Sequence, residues 1–308
     1  MFLVCGEALM DVFAEQETSA GVVLDARVGG SPFNVAIGLA RLGQPVAFFG
    51  GLSKGFLGDR LRKALTAEHV DVGFSPLVDA PTTLGLVGLA ADGSASYAFY
   101  GTGCADRMVN ADDLPDLGDD IRALHFGSYA TVVEPVASAQ RLLVERERER
   151  RLIAYDPNLR LNVEPDLERW KEMMAWMGGR AHIIKVSSED LQLAFPGVPI
   201  HEVAAGWLRS GCRLVVITRG GGGAIAFNGR DEISVEARQV DVVDTVGAGD
   251  TFQAALLTWL AERELLSIDA VASLDVDQLR TALDFAVTAA SITCTRRGAD
   301  LPRRGELS

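Results

Sequence analysis

The residues best placed to do chemistry lie in one heptapeptide, Asp244-Thr245-Val246-Gly247-Ala248-Gly249-Asp250, which Thr251-Phe252 and an apolar stretch follow. Phe252, Ala255, Leu256, Trp259 and Leu260 recur at i, i+3, i+4, i+7 and i+8, so a helix packed by one face on the core is expected. The Gly-rich turn then sits at its N-terminus, where the first N–H groups lack intrahelical partners and small residues let an anion come close. That is the chemistry of a phosphate site. Asp250 stands at its edge, where a carboxylate can take the proton of a hydroxyl attacking a phosphoryl group. Taken alone, the same residues also fit a tight turn closed by a capping Asp. Neither commoner nucleotide signature is present: GxxxxGK[ST] is absent, and Phe252 stands where a dinucleotide fingerprint needs its third glycine.

Two other stretches carry similar potential. Gly220 to Gly223 follows the β-branched run Val215-Val216-Ile217-Thr218, which puts a second Gly-rich turn at the C-terminal edge of a strand, where open parallel sheets bind ligands. Near the N-terminus, Asp11 and Gly29-Gly30-Ser31-Pro32-Phe33-Asn34 combine short polar groups with bare backbone. Asp11 and Asn34 can each hydrogen-bond vicinal hydroxyls, and the glycines admit a sugar ring, although such residues also serve as caps and turns.

The elements that must position these residues are legible in outline. Residues 2–5 read as a strand ending at Gly6, residues 22–28 as a second strand, residues 34–42 as a helix closed by Gly43, and residues 45–49 as another strand. Two strand-like runs between Thr83 and Tyr100 flank Asp92-Gly93, a hairpin dipeptide. Later apolar strands at 121–126, 152–155, 181–186 and 213–218 alternate with helical stretches, which favours a mainly parallel sheet covered by helices. The alternating acids and bases of residues 145–151 read as a solvated helix face. The expectation is one α/β domain over residues 1–308, with a small β-sheet lid formed by about residues 12–28 and 83–104.

With 308 residues and 48% hydrophobic content, the chain can bury a large core. A net charge of −13 argues against a nucleic-acid or membrane-surface partner, since bound phosphate backbones demand clustered Lys and Arg. Cys5, Cys104, Cys212 and Cys294 are scattered without metal-ligand spacing and fit a reducing compartment. No apolar run approaches the roughly 20 residues of a membrane span, so a cytoplasmic location is expected.

Together, GGSPFNVAIGLARLG (29–43) and DTVGAGDTF (244–252) resemble the two signatures of the ribokinase-like, or PfkB, carbohydrate kinases. The resemblance runs on through GEALMD (6–11), YDPNLR (155–160), KVSSEDL (185–191), VVITRGGGGA (215–224) and TCTRRGA (293–299). It implies an ATP-dependent sugar kinase with a large α/β domain and a β lid. Carried over by position, Asp250 is the catalytic base, and Gly247, Ala248 and Gly249 offer N–H groups to the transferring phosphate. Asp11, Gly30 and Asn34 hold the sugar, with Gly29 beside them. Thr218, Gly220 and Gly223 border ATP, as does Gly249, and Ser291 lies on the adenine side. Many members have an Asn-x-x-Glu motif that organises Mg2+; here Ser187 and Asp190 stand in its place, so Asp190 is expected to act only indirectly. The family often holds a monovalent cation such as K+ near the position of Asp244 and the loop containing Gly298.

GEALMD, YDPNLR and KVSSEDL are most similar to the fructokinase branch, in which Arg160 or its neighbours approach the sugar or the phosphates. The features are shared in part with 2-keto-3-deoxygluconate kinases. A phosphosugar would need a cationic clamp, and only Arg27 stands near Asp11 and residues 29–34, which favours a neutral acceptor. Fructose ranks first, a keto-deoxy sugar acid second, and ribose or a nucleoside, with Phe33 or Phe99 stacked on a base, third. A non-catalytic sugar or nucleotide sensor on the same scaffold is the competing class; an NAD-linked oxidoreductase is disfavoured because no GxGxxG follows an early strand. The edges of the lid strands invite pairing with a second copy, so a homodimer through the lid is expected.

Overall fold

The computed structural model describes residues 1–89 and 95–307. The chain opens with β1 (Phe2–Cys5), then β2 (Leu9–Thr18) and β3 (Gly21–Gly29), α1 (Ser31–Arg41) and β4 (Val46–Phe49). A two-residue strand β5 (Leu52–Ser53) precedes α2 (Phe56–Ala67), and β6 (Leu77–Val78), β7 (Leu84–Leu89) and β8 (Ala95–Tyr100) follow. Strands and helices then alternate: β9 (Ala123–Gly127), α3 (Val136–Glu147), β10 (Leu152–Asp156), α4 (Leu167–Gly178), β11 (Ile183–Ser187), α5 (Ser188–Ala194), α6 (Ile200–Ser210) and β12 (Leu214–Thr218). The last part comprises β13 (Ala224–Phe227), β14 (Glu232–Val235), α7 (Ala248–Ala261), α8 (Ile268–Ala272) and α9 (Val276–Cys294).

Eight strands form one sheet in the order β14-β13-β12-β11-β10-β9-β1-β4, parallel from β4 to β12 and antiparallel at β13 and β14. The parallel strands read as short apolar runs because both faces are covered. One face packs on α1, α7 and α9 through residues such as Val4, Ala154, Ile183 and Val216, the other around Phe126, Tyr155 and Trp170. The expected parallel α/β architecture is therefore present, with strand bounds within about two residues of those read from the sequence.

A separate four-stranded sheet, β3-β2-β7-β8, rises from the end of β1. Its strand β2 was not anticipated. Only its first half is buried, and the charged second half is exposed, so no uniform alternation marks it. The Asp92-Gly93 turn lies outside the described residues.

Helix α7 differs from the one-faced helix expected. Every residue from Asp250 to Leu260 is buried, because α1 and α9 flank it and the sheet lies beneath. A helix buried all round is a core element, so the Gly-rich turn is anchored on a firmly packed helix. The run at 145–151 is exposed and ion-paired at Glu145, Arg146, Glu149 and Arg150, as a solvated face would be, and departs from one at Glu147 and Arg151. Arg151 is 4% exposed, pairs with Glu147 at 2.6 Å, and donates to the carbonyls of Leu117, Gly118 and Ile121. It ties the approach to β9 onto the start of β10.

Candidate active site

Gly247 precedes α7 with φ 78°, in the left-handed region, and a Cβ there would lie 2.6 Å from that of Ala299. Only glycine fits both demands. The Ala248 N–H turns back to the Thr245 carbonyl at 3.2 Å, whereas the amides of Gly247, Gly249 and Asp250 have no backbone partner among the described residues and belong to residues that line one cavity.

A second helix start meets the first. Gly30, with φ 109°, caps α1, and a Cβ there would stand 2.8 Å from the Glu7 carbonyl oxygen. The opening turn of α1 then delivers two donors to Asp250: Ser31 Oγ to Oδ1 at 2.6 Å and Asn34 Nδ2 to Oδ2 at 2.8 Å. Burial pushes the Asp250 carboxyl above the usual range, opposed by these two hydrogen bonds and by the charge of Lys185. Asp250 is thus a held, partly desolvated carboxyl. Nothing in the sequence around Ser31 marks a role for it; its direct bond to Asp250 is visible only once α1 and α7 are packed together.

Beneath the turn lies a buried ion pair. Ala154, Ile183 and Val216 face α7, so alternation along the strands turns Asp156 and Lys185 to the same side. Lys185 Nζ meets Asp156 Oδ2 at 2.8 Å, with side chains 5% and 1% exposed, and a Cβ on Gly249 would lie 3.0 Å from that nitrogen. An ammonium therefore sits directly under the Gly-rich turn. Sequence reasoning assigned Lys185 no role, because within KVSSEDL it has no visible partner.

Asp250, its partners Ser31 and Asn34, and Gly247 and Gly249 of the turn open onto a cavity of about 490 Å³. Its floor comes from residues just beyond the C-terminal ends of β1 (Glu7), β9 (Ser128, Tyr129) and β10 (Asn158, Arg160, Asn162), where open parallel sheets bind ligands. Its roof is Leu9, Asp11 and Phe13, alternate residues of the unanticipated β2, with Phe99 of β8. Burial raises the Asp11 carboxyl to about 6, with Arg160 opposing.

Of the residues read from the sequence, the cavity brings together Asp11, Gly30, Asn34, Arg160, Gly247, Gly249 and Asp250. Gly29 lies beside it, where a side chain would collide with the Asp11 carboxyl. Ala248 does not line it. Thr218, Gly220, Gly223 and Ser291 also fall outside it, on the β12 and α9 side. There Gly223 is fixed by its close approach to the Val235 carbonyl, and Ser291 Oγ donates to Val287 within its own helix at 2.8 Å. Ser187 caps α5 by accepting from the Asp190 N–H at 3.0 Å. Burial and the Asp156 charge raise the Asp190 carboxyl to about 6. Asp244 accepts from the amides of Val246 at 3.0 Å and Gly298 at 2.8 Å, joining the Gly-rich turn to the C-terminal loop.

Two aromatic and cationic expectations are corrected. Phe33 is 2% exposed and packs edge-on against Phe48, so it is a core residue unable to stack on a base. Arg27 pairs with Asp25 at 2.6 Å and covers the Phe13 ring, leaving Arg160 as the only cationic residue lining the cavity among the described residues.

A profile described as "pfkB family carbohydrate kinase" matches residues 1–304. This chain belongs to that family. The kinase is 40% identical over 284 residues to a fructokinase of Rhizobium leguminosarum bv. trifolii, covering 92% of this chain and 87% of the relative. Among solved structures it is similar to a fructokinase from Xylella fastidiosa with bound ATP, with TM-score 0.89 and 25% identity over 99% of this chain and 96% of that one. It is also similar to a Vibrio cholerae fructokinase bound to fructose, ADP and calcium, with TM-score 0.82 and 26% identity over 99% and 97% of the two chains. The fold of this kinase is accordingly ribokinase-like, and it is a carbohydrate kinase using ATP. No helix among the described residues is long and apolar enough to cross a membrane.

Proposed function

We propose that this kinase is a fructokinase, moving the γ-phosphate of ATP to a primary hydroxyl of fructose with Asp250 as general base. The observation that carries the acceptor's class is the lining of the cavity: Glu7, Asp11 and Asp250 face it with one cation, Arg160. Burial keeps Glu7 protonated near pH 7, yet Asp11 and Asp250 still outnumber the one Arg and disfavour a carboxylate-bearing acceptor such as 2-keto-3-deoxygluconate, because like charges held in a desolvated site repel. The fructokinase relatives support the same choice.

In the proposed reaction, the β3-β2-β7-β8 sheet serves as the lid of a single kinase domain and closes over the sugar to exclude water. Asp11 and Asn34 hold sugar hydroxyls, with Gly29 and Gly30 giving the ring room. As the sugar oxygen bonds to the γ-phosphorus, the bond from that phosphorus to the β–γ bridging oxygen breaks, and ADP leaves with the electron pair. The hydroxyl proton passes to Asp250. The Gly249 and Asp250 amides, with Lys185 below them, stabilise charge spreading over the transferring group. Thr218, Gly220, Gly223 and Ser291 would border the nucleotide on the β12 and α9 side.

The residues present also fit the expected cations. Asp156 Oδ1 is a buried acceptor with no hydrogen-bond partner, and Asp190 adds a second hard oxygen donor, which suits water ligands of a nucleotide-bound Mg2+. An Mg2+ held by Asp156 and Asp190 through water would supply positive charge that offsets the negative charge of the ATP phosphates. K+ is proposed beside Asp244, whose carboxylate already joins the turn to the Gly298 loop.

An ATP-consumption screen over fructose, 2-keto-3-deoxygluconate, ribose, adenosine and fructose phosphates tests the acceptor. Fructose is expected to give the highest kcat/KM, and a higher value for the sugar acid would overturn the assignment.

Strand β3 exposes Val22, Val23 and Leu24 at 51%, 46% and 49%, an apolar sheet edge that supports a homodimer joined through the lid. Light scattering is expected to give twice the 32.9 kDa chain mass, and a monomer at working concentration would refute it. All four cysteines are free thiols, which supports a cytoplasmic site; a stable disulfide in protein from the native host would count against it.

A further inference from the structure

Glu7 has no part in the mechanism so far, yet it is 1% exposed, lines the cavity floor two residues past β1, and keeps Oε2 without a hydrogen-bond partner among the described residues. Burying a polar atom unpaired is costly and uncommon. The turns around it are strained as well. Ser128, with φ 56°, and Asn158, with φ 39°, are non-glycine residues in the left-handed region, and both line the same floor. Backbone strain of this kind is retained where a site needs it.

We propose that Glu7 is a specificity-determining sugar residue, bonding from the floor between Gly30 and Ser128 to a hydroxyl of the acceptor other than the one phosphorylated. The inference rests on the carbohydrate-kinase reading. The ligand it fits is a neutral polyol, because burial raises the Glu7 carboxyl to about 8 and a protonated carboxyl both donates and accepts. Burial outweighs the groups that favour the ionised form, the largest of which is the hydrogen bond from Ser128, just after β9. Asp106, after β8, is occupied by the hydroxyls of Thr83 at 2.5 Å and Tyr129 at 2.9 Å, and Arg107 lies over the Tyr129 ring. Arg160 follows β10 and pulls the Glu7 pKa down only weakly, while Asp11 and Asp250 line the same cavity.

Glu7→Leu and Glu7→Gln separate this role from a structural one. Leucine removes the unpaired carboxyl, so its Tm should equal or exceed that of the parent, while KM for fructose rises about 10-fold or more and KM for ATP stays within about twofold. Glutamine keeps a donor and an acceptor, so its KM for fructose should stay within about threefold of the parent at pH 7. The parent's KM should climb between pH 7 and 9 as Glu7 loses its proton, and that of Glu7→Gln should not. An unchanged KM for fructose in a folded Glu7→Leu protein would overturn the proposal. If leucine prevents folding, the pH profiles decide: parallel profiles for parent and Glu7→Gln would overturn it equally. A parent that consumes ATP with none of the sugars would instead overturn the kinase reading, and this inference with it.

Discussion

Asp250→Asn is expected to lower kcat by roughly 10² to 10⁴ while leaving the fold and ATP binding nearly intact. The carboxylate accepts from Ser31 Oγ and Asn34 Nδ2, and an amide can keep both contacts: its oxygen accepts from Asn34, and its nitrogen donates to the Ser31 oxygen. What it cannot do is take a proton. Removing a buried acid whose pKa is raised also relieves a desolvation cost, so the Tm should not fall. Circular dichroism melts and steady-state kinetics on the same preparation check both halves. Turnover within about fivefold of the parent would remove Asp250 from the role of base, on the scale general bases contribute.

Lys185→Met should produce the largest loss of stability of any single change near the site. It strands Asp156, which is 1% exposed and already has one oxygen unpartnered. Breaking a buried pair in this way costs about 3–5 kcal/mol, or a Tm lower by roughly 5–15 °C at this chain length. The double variant Lys185→Met/Asp156→Leu should regain most of that stability, because a well-packed apolar pair replaces a buried ionic one with little net change. Its kcat should stay low. The ammonium lies where a Gly249 side chain would reach, 3.0 Å from that Cβ position, and its loss removes positive potential from beneath the turn proposed to bind the transferring phosphate. A double variant with both stability and kcat restored would show that the pair serves packing alone.

How much of this was legible in the sequence depended on whether a feature was local. The Gly-rich turn opening α7 and the GGSPFN entry to α1 could be read because motif and helix are contiguous, so residue type and position are fixed by the same few residues. The parallel strands were legible as apolar runs of near-correct extent. What escaped was assembled across the chain. Glu7, Ser128, Asn158 and Asn162 converge only because the sheet order sets β1, β9 and β10 side by side. Nothing in any one segment marks that meeting. Strand β2, which supplies the roof and aims Asp11 downward, was hidden by its half-buried, half-charged composition. Lys185 and Asp156 stand in otherwise apolar strands 29 residues apart, and their pairing follows from strand register. Phe33 looked like a candidate base platform because its burial depends on Phe48, which approaches only when β4 joins the sheet.

The central claim is that the amides opening α7 hold the terminal phosphoryl group of ATP while Asp250 readies the sugar. A crystal structure with fructose and an ATP analogue whose β–γ bridge resists cleavage tests it most directly. The γ-phosphate oxygens should lie about 3 Å from the Gly249 and Asp250 nitrogens, with a primary hydroxyl of fructose at similar range from the Asp250 carboxylate. A γ-phosphate bound away from this turn, or fructose with no hydroxyl within reach of Asp250, would contradict the account.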